Sequence, residues 1–121
     1  MARIMVADDS DAIRMVLKDI LTIGQHELVA EATNGIEAIE EYKKSKPDIL
    51  LLDVAMPKKD GIAVLKEIIS SEQSAKIIMI TASDNQKTMK ECLDSGASAY
   101  ILKPFEFQDV LNVISNVFDS G

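Results

Sequence analysis

Four apolar runs in this 121-residue chain each stop at a side chain able to do chemistry. Arg3–Ala7 runs into Asp8-Asp9, Asp48–Leu52 into Asp53, Ile77–Ile80 into Thr81, and Tyr100–Leu102 into Lys103-Pro104. If the runs are parallel strands of one sheet, three carboxylates, a hydroxyl and an ammonium gather at one edge. Clustered carboxylates repel unless protons or a cation intervene. A hard divalent cation answers that need, and Mg2+ takes one or two carboxylates while keeping positions for water and substrate oxygens. One carboxylate can then attack a phosphoryl group. The cation, the ammonium and the hydroxyl would steady the charge on the transferring oxygens. Taken singly, each residue has a plainer role. Asp8-Asp9-Ser10 suits a helix N-cap with an acidic first turn, Thr81 suits a turn, Lys103 a solvated surface and Tyr100 a core. The weight lies in their joint order at strand ends.

The elements that must position these groups are legible in the pattern. Five strand-like runs alternate with five helical patterns. Ile13, Val16, Leu17, Ile20 and Leu21 repeat at helical spacing, with Ser10 or Asp11 as cap and Gly24 as stop. Glu27–Ala32 reads as a short strand, and Asn34-Gly35 turns the chain into a helix carrying Ile36, Ile39 and Tyr42. Lys43-Lys44-Ser45-Lys46-Pro47 closes that helix, its lysines on a solvated face near the negative end of the dipole. The run Asp48–Leu52 lacks polar alternation, as a strand buried on both faces should. Gly61 opens a third helix, Asp84 is placed to cap a fourth that Gly96 ends, and Ala99–Leu102 forms the last strand. An amphipathic helix through Val110, Leu111, Ile114, Val117 and Phe118 completes the chain. Such alternation implies a parallel sheet covered by helices on both faces, with right-handed crossovers. Sites in open sheets of this kind lie beyond the carboxyl ends of the strands, where strand order reverses.

Composition sets the broad class. A 47% hydrophobic, 27% charged chain of 121 residues is an ordinary globular domain. A formal charge of -7 disfavours nucleic acid as a partner, because its phosphates would repel the protein. No apolar stretch is long enough to insert in a membrane. Met1-Ala2-Arg3 enters a strand at once, without a signal-peptide core, so a cytoplasmic protein is expected. Cys92 is the sole cysteine and reads as a small buried side chain, while His26 reads as a turn or strand-edge residue. No Cys/His set has zinc spacing.

Asp8-Asp9 after the first strand, Asp53-Val54-Ala55-Met56-Pro57 followed by Gly61, Thr81-Ala82, and Lys103-Pro104-Phe105 resemble the receiver domain of two-component response regulators. The similarity is greatest to its stand-alone chemotaxis members and covers nearly the whole chain. It implies a flavodoxin-like (βα)5 fold, a doubly wound five-stranded parallel sheet of order 2-1-3-4-5, as one domain over residues 1–121 with no effector domain. Asp53 would accept a phosphoryl group from the phosphohistidine of a sensor histidine kinase, a chemotaxis kinase in the first instance. Asp9 would hold Mg2+ directly, Asp8 through water, and Asp53 with the Val54 main-chain carbonyl would complete the protein ligands; Mn2+ would substitute. Lys103 would pair with Asp53 at rest and with phosphoryl oxygens afterwards, and Thr81 would hydrogen-bond the phosphoryl group. Tyr100 would swing inward as Thr81 moves, and Lys103-Pro104 would be a cis peptide. Ala55 and Ser83 would flank the phosphoryl group, and neither can orient a water as a carboxylate or amide would. The resemblance further implies a monomer that signals by binding a target protein, such as a flagellar or archaellar motor component or an adaptor. Its own chemistry would be limited to self-phosphorylation and self-dephosphorylation.

Three other readings compete. A single-domain phosphorelay intermediate would share every site residue. An aspartyl phosphatase of the haloacid-dehalogenase kind needs a second acid two residues after the nucleophile, where this chain has Ala55. A flavodoxin-like FMN carrier needs a small-residue phosphate loop where this chain places Asp8-Asp9.

Overall fold

A computed structural model describes residues 1–120. Its elements are β1 (Arg3–Ala7), α1 (Asp11–Ile23), β2 (Glu27–Ala32), α2 (Gly35–Ser45), β3 (Ile49–Asp53), α3 (Gly61–Ser71), β4 (Ile77–Thr81), α4 (Gln86–Asp94), β5 (Ala99–Leu102) and α5 (Phe107–Asp119). The five strands are parallel in the order β2-β1-β3-β4-β5, as expected.

The strand sequences explain their places. β3 and β4 are buried along their whole length, which accounts for their lack of polar alternation. β2 and β5 lie at the edges and are largely half-buried. Successive side chains point to opposite faces of a strand, so β3 feeds two cores. Ile49 and Leu51 join Ile4, Val6, Leu17, Ile78 and Ile114 on one face, and Leu50 and Leu52 join Met5, Val64, Leu65, Met79 and Cys92 on the other. Cys92 is thus the buried small side chain its pattern predicts.

Helix starts follow their caps. The side chains of Ser10, Asn34 and Asp60 accept from Ile13, Glu37 and Ala63 main-chain N–H groups. Two element starts differ from the sequence expectation. Asn85, not Asp84, caps α4, its Oδ1 accepting from Lys87 at 2.8 Å and Thr88 at 3.4 Å. β3 begins at Ile49 because Asp48 is spent as a tie, its carboxylate accepting the Arg3 N–H at 2.8 Å. His26 sits between α1 and β2, where its Nδ1 accepts the Ala2 N–H at 3.1 Å.

Register then aligns the strand ends. Ala7 lies opposite Leu52, Asp53 opposite Ile80, and Thr81 opposite Leu102. One residue further along, Asp8 comes level with Asp53, and Lys103 follows Leu102 beside Thr81. The chain leaves β1 toward β2 on one side and returns to β3 on the other, so Asp8 and Asp53 flank the point where strand order reverses. Among the described residues, no helix is long and apolar enough to cross a membrane.

Candidate functional site

The end of β1 is held from below and behind. Asp8 is 1% exposed. Its Oδ1 accepts the Ser10 N–H at 2.9 Å and its Oδ2 accepts from Lys103 Nζ at 3.0 Å. Its main-chain carbonyl accepts from Arg14 Nη1 at 2.7 Å. Asp9, next in the chain, is exposed.

Asp53 ends β3 and is 4% exposed. Lys103 Nζ lies 3.5 Å from its Oδ1. Lys103 therefore bridges both buried acids and sits nearer Asp8, whereas the sequence reading pairs it with Asp53 at rest. Burial pushes the Asp53 carboxyl up to about 6, and the neighbouring Asp8 charge adds to this. Lys103 and the Ala55 N–H, which bond the carboxylate, offset part of the rise.

The loop after β3 already engages one expected ligand. The Val54 carbonyl accepts the Gly61 N–H at 2.7 Å, and the Val54 N–H donates to Ile80 at 3.1 Å. Val54 is thereby used to dock the loop against β4 and α3. A Cβ at residue 61 would lie 2.0 Å from the Asp53 carbonyl oxygen, so this close approach requires glycine. Ala55 is exposed at the mouth of the site.

On the other flank, Thr81 is 4% exposed and its Oγ1 accepts the Ser83 N–H at 3.1 Å. Ser83 Oγ accepts the Asn85 N–H at 3.2 Å, and the Ser83 carbonyl accepts from the Tyr100 hydroxyl at 3.0 Å. Thr81, Ser83, Tyr100 and the cap of α4 thus form one hydrogen-bonded chain. Tyr100 is half-buried, packed against the core that contains Cys92. The Lys103-Pro104 peptide is cis.

Asp8, Asp9 and Asp53 each offer a carboxylate oxygen, and these oxygens lie within 4.8 Å of one another. Ligand oxygens about 2.1 Å from one Mg2+ stand at most about 4.2 Å apart, so the three acids fit a shared hard cation after small adjustment. A cavity of about 610 Å3 lies elsewhere, lined by Tyr42, Lys76 and Phe118 near the opposite ends of the strands. Arg14 and Gly61 do structural work at the site that spacing did not assign to them: the sequence reading leaves Arg14 without a role and takes Gly61 only as a helix start.

Over residues 4–115 the chain matches the response regulator receiver domain family. The chain belongs to that family. This receiver domain is 42% identical over 115 residues to the chemotaxis protein CheY of Thermotoga maritima, covering 95% of this chain and 96% of that protein. It is 41% identical over 117 residues to the CheY of Bacillus subtilis, covering 97% and 98%. Among solved structures it superposes with a TM-score of 0.93 on a chain of the CheX-CheY-BeF3-Mg2+ complex from Borrelia burgdorferi, at 35% identity over 96% of this chain and 88% of that one. The receiver domain is thus a two-component signalling protein with chemotaxis regulators among its relatives. Receiver domains bind Mg2+ at an acidic pocket, and this one carries the Asp8, Asp9 and Asp53 cluster.

Proposed function

We propose that this receiver is a stand-alone response regulator that takes a phosphoryl group from a histidine kinase onto Asp53, with Mg2+ bound, and signals by phosphorylation-controlled protein binding in chemotaxis. The observation that carries the reading is Asp53 itself. It is a buried carboxylate at the strand-order reversal, ionising at about 6, with an ammonium 3.5 Å away and two further acids beside it.

The chemistry follows from the geometry. Near pH 7 most Asp53 side chains are ionised, which a nucleophile requires. One Asp53 oxygen attacks phosphorus, the P–N bond of the phosphohistidine breaks, and the electron pair leaves with the imidazole. Bound Mg2+ would supply positive charge for the phosphoryl oxygens. Asp8, Asp9 and Asp53 would provide its carboxylates. The main-chain ligand would be the Ala55 carbonyl in place of Val54, whose carbonyl accepts the Gly61 N–H and docks the loop. Lys103 transfers its hydrogen bond from Asp8 to a phosphoryl oxygen.

Thr81 carries the signal away. Its hydroxyl turns to donate to the phosphoryl group, which carries a charge of about -1.5 to -2 where the carboxylate carried a single one. That weakens its hold on the Ser83 N–H and shifts the chain joining Ser83, Asn85 and Tyr100. The differential contacts of the phosphoryl group bias two arrangements of α4, β5 and α5. Ala55 and Ser83 leave the flanks of the phosphoryl group without a side chain that orients water, so hydrolysis relies on a phosphatase or on main-chain groups. The relatives' chemotaxis role and the BeF3-Mg2+ complex of the Borrelia burgdorferi structure support this reading over a relay intermediate. A cytoplasmic monomer with a motor component or adaptor as target suits it.

The test is labelling by acetyl phosphate in the presence of Mg2+. Asp53→Asn is expected to abolish the label; undiminished labelling rejects Asp53 as acceptor. Recovery of a motor component by the beryllofluoride-treated protein supports chemotaxis, whereas recovery of a histidine phosphotransfer protein supports the relay.

A further inference from the structure

Arg14 lies on α1, and its guanidinium reaches back beneath the loop that precedes the helix. Nη1 donates to the Asp8 main-chain carbonyl at 2.7 Å. Nη2 pairs with the Asp11 carboxylate, and Nε lies 3.3 Å from Glu31 Oε1 on β2. Lys18 holds the other oxygen of Glu31 at 2.8 Å. The Arg14 side chain is only 13% exposed. One planar group thus ties the end of β1, the start of α1 and an edge strand.

We infer that Arg14 is a positioning residue that pins the Asp8–Asp9 peptide plane for the divalent cation. The inference rests on the reading of Asp8, Asp9 and Asp53 as a cation site. Mutual repulsion of three carboxylates pushes the β1–α1 loop outward in the metal-free protein. Asp8 resists through Lys103 and the Ser10 N–H. Asp9 is exposed, and its place depends on the peptide it shares with Asp8. The guanidinium fixes the carbonyl of that peptide, and with it the direction in which the Asp9 side chain leaves the loop. A lysine has one ammonium and cannot span three partners in a plane.

The charge balance supports a geometric role. A lone cation behind the acids would compete electrostatically with bound metal. Here Arg14 and Lys18 face Asp11 and Glu31, so the cluster is formally neutral and adds little field at the site. What remains is orientation of a ligand-bearing loop, and groups that orient metal ligands contribute about 10-fold or more to affinity.

The experiment is a Mg2+ titration of the folded protein, followed by amide NMR at fixed ionic strength and paired with urea unfolding in EDTA. Arg14→Ala is expected to weaken Mg2+ binding about 10-fold and to raise by the same factor the Mg2+ needed for half-maximal labelling by acetyl phosphate. Arg14→Lys is expected to recover part of that loss. A merely structural arginine would lower the urea midpoint and leave the Mg2+ affinity of the folded protein unchanged, and that result overturns the inference. If Arg14→Ala does not fold, Arg14→Lys decides alone, since it keeps the charge and loses the planar fork, and wild-type Mg2+ affinity in that variant overturns the inference equally. Asp9→Ala separates the two levels. Wild-type affinity in that variant removes the cation site itself, whereas loss there with full affinity in Arg14→Ala removes only the clamp.

Discussion

Replacing Asp53 with asparagine keeps the shape of the side chain and an oxygen for the Ala55 N–H, but removes its charge. The wild-type carboxyl is 4% exposed. It ionises at about 6 instead of 3.8, because burial and the Asp8 charge outweigh Lys103 and the Ala55 N–H. The folded protein therefore holds this proton more tightly than the unfolded chain does. The stability it contributes is complete below pH 3.8 and is lost as pH rises through 6. Two pH units at about 1.4 kcal/mol each make the ionised group unfavourable by about 3 kcal/mol above pH 7. Asparagine has no such ionisation. Asp53→Asn is expected to be more stable than wild type by about 2–3 kcal/mol at pH 7.5 in EDTA, with the gain shrinking toward zero near pH 4. Urea unfolding across that pH range measures it. Saturating Mg2+ is expected to narrow the gap, since it binds the folded wild type more strongly than the variant. A variant no more stable at pH 7.5, or equally favoured at pH 4, would refute the account of Asp53 by burial and Asp8.

Three further outcomes follow from single contacts. Lys103→Met removes an ammonium 3.0 Å from Asp8 and 3.5 Å from Asp53; carboxyl NMR titration should show Asp53 ionising at a still higher pH, and an unmoved titration would deny Lys103 its electrostatic role. Gly61→Ala places a Cβ 2.0 Å from the Asp53 carbonyl, so calorimetry should show a loss of more than about 1 kcal/mol together with slower labelling of Asp53. Asn85→Ala removes the cap of α4 and should lower stability by about 1 kcal/mol, with hydrogen exchange rising first in the opening turn of α4; uniform protection there would show that Thr81 and Ser83 suffice to hold the turn.

Much of the site was legible because each reacting side chain follows an apolar run directly. Asp8, Asp53, Thr81 and Lys103 sit within a residue of a strand end, and strand ends of a parallel sheet share an edge. The misplacements are local choices between adjacent polar residues. Asp84 and Asn85 both suit an N-cap, and main-chain direction decides that the Asn85 amide oxygen meets the Lys87 and Thr88 N–H groups. Val54 and Ala55 both present a carbonyl after Asp53, and only the turn back to Gly61 shows that the Val54 oxygen is occupied. Arg14 carried little signal, because only Asp11 is its helical neighbour, while Asp8 and Glu31 lie on other segments.

The elements, their alternation, the parallel class of the sheet and the family motifs are properties of local pattern, with periods of 2 and 3.6 residues that one stretch of chain displays unaided. Sequence alone therefore determined which groups reach the carboxyl edge of the sheet and what chemistry they suit. Tertiary structure decided their distances. Lys103 lies 95 positions from Asp8, and no local period relates them. Register between strands does, through Ala7 opposite Leu52, Asp53 opposite Ile80 and Thr81 opposite Leu102. A slip of one residue would send the side chains of a strand to the opposite core, so packing of the two cores sets the register. That register in turn brings one ammonium between two buried carboxylates, and it buries Asp53 beside Asp8, which raises the pKa on which the proposed chemistry depends.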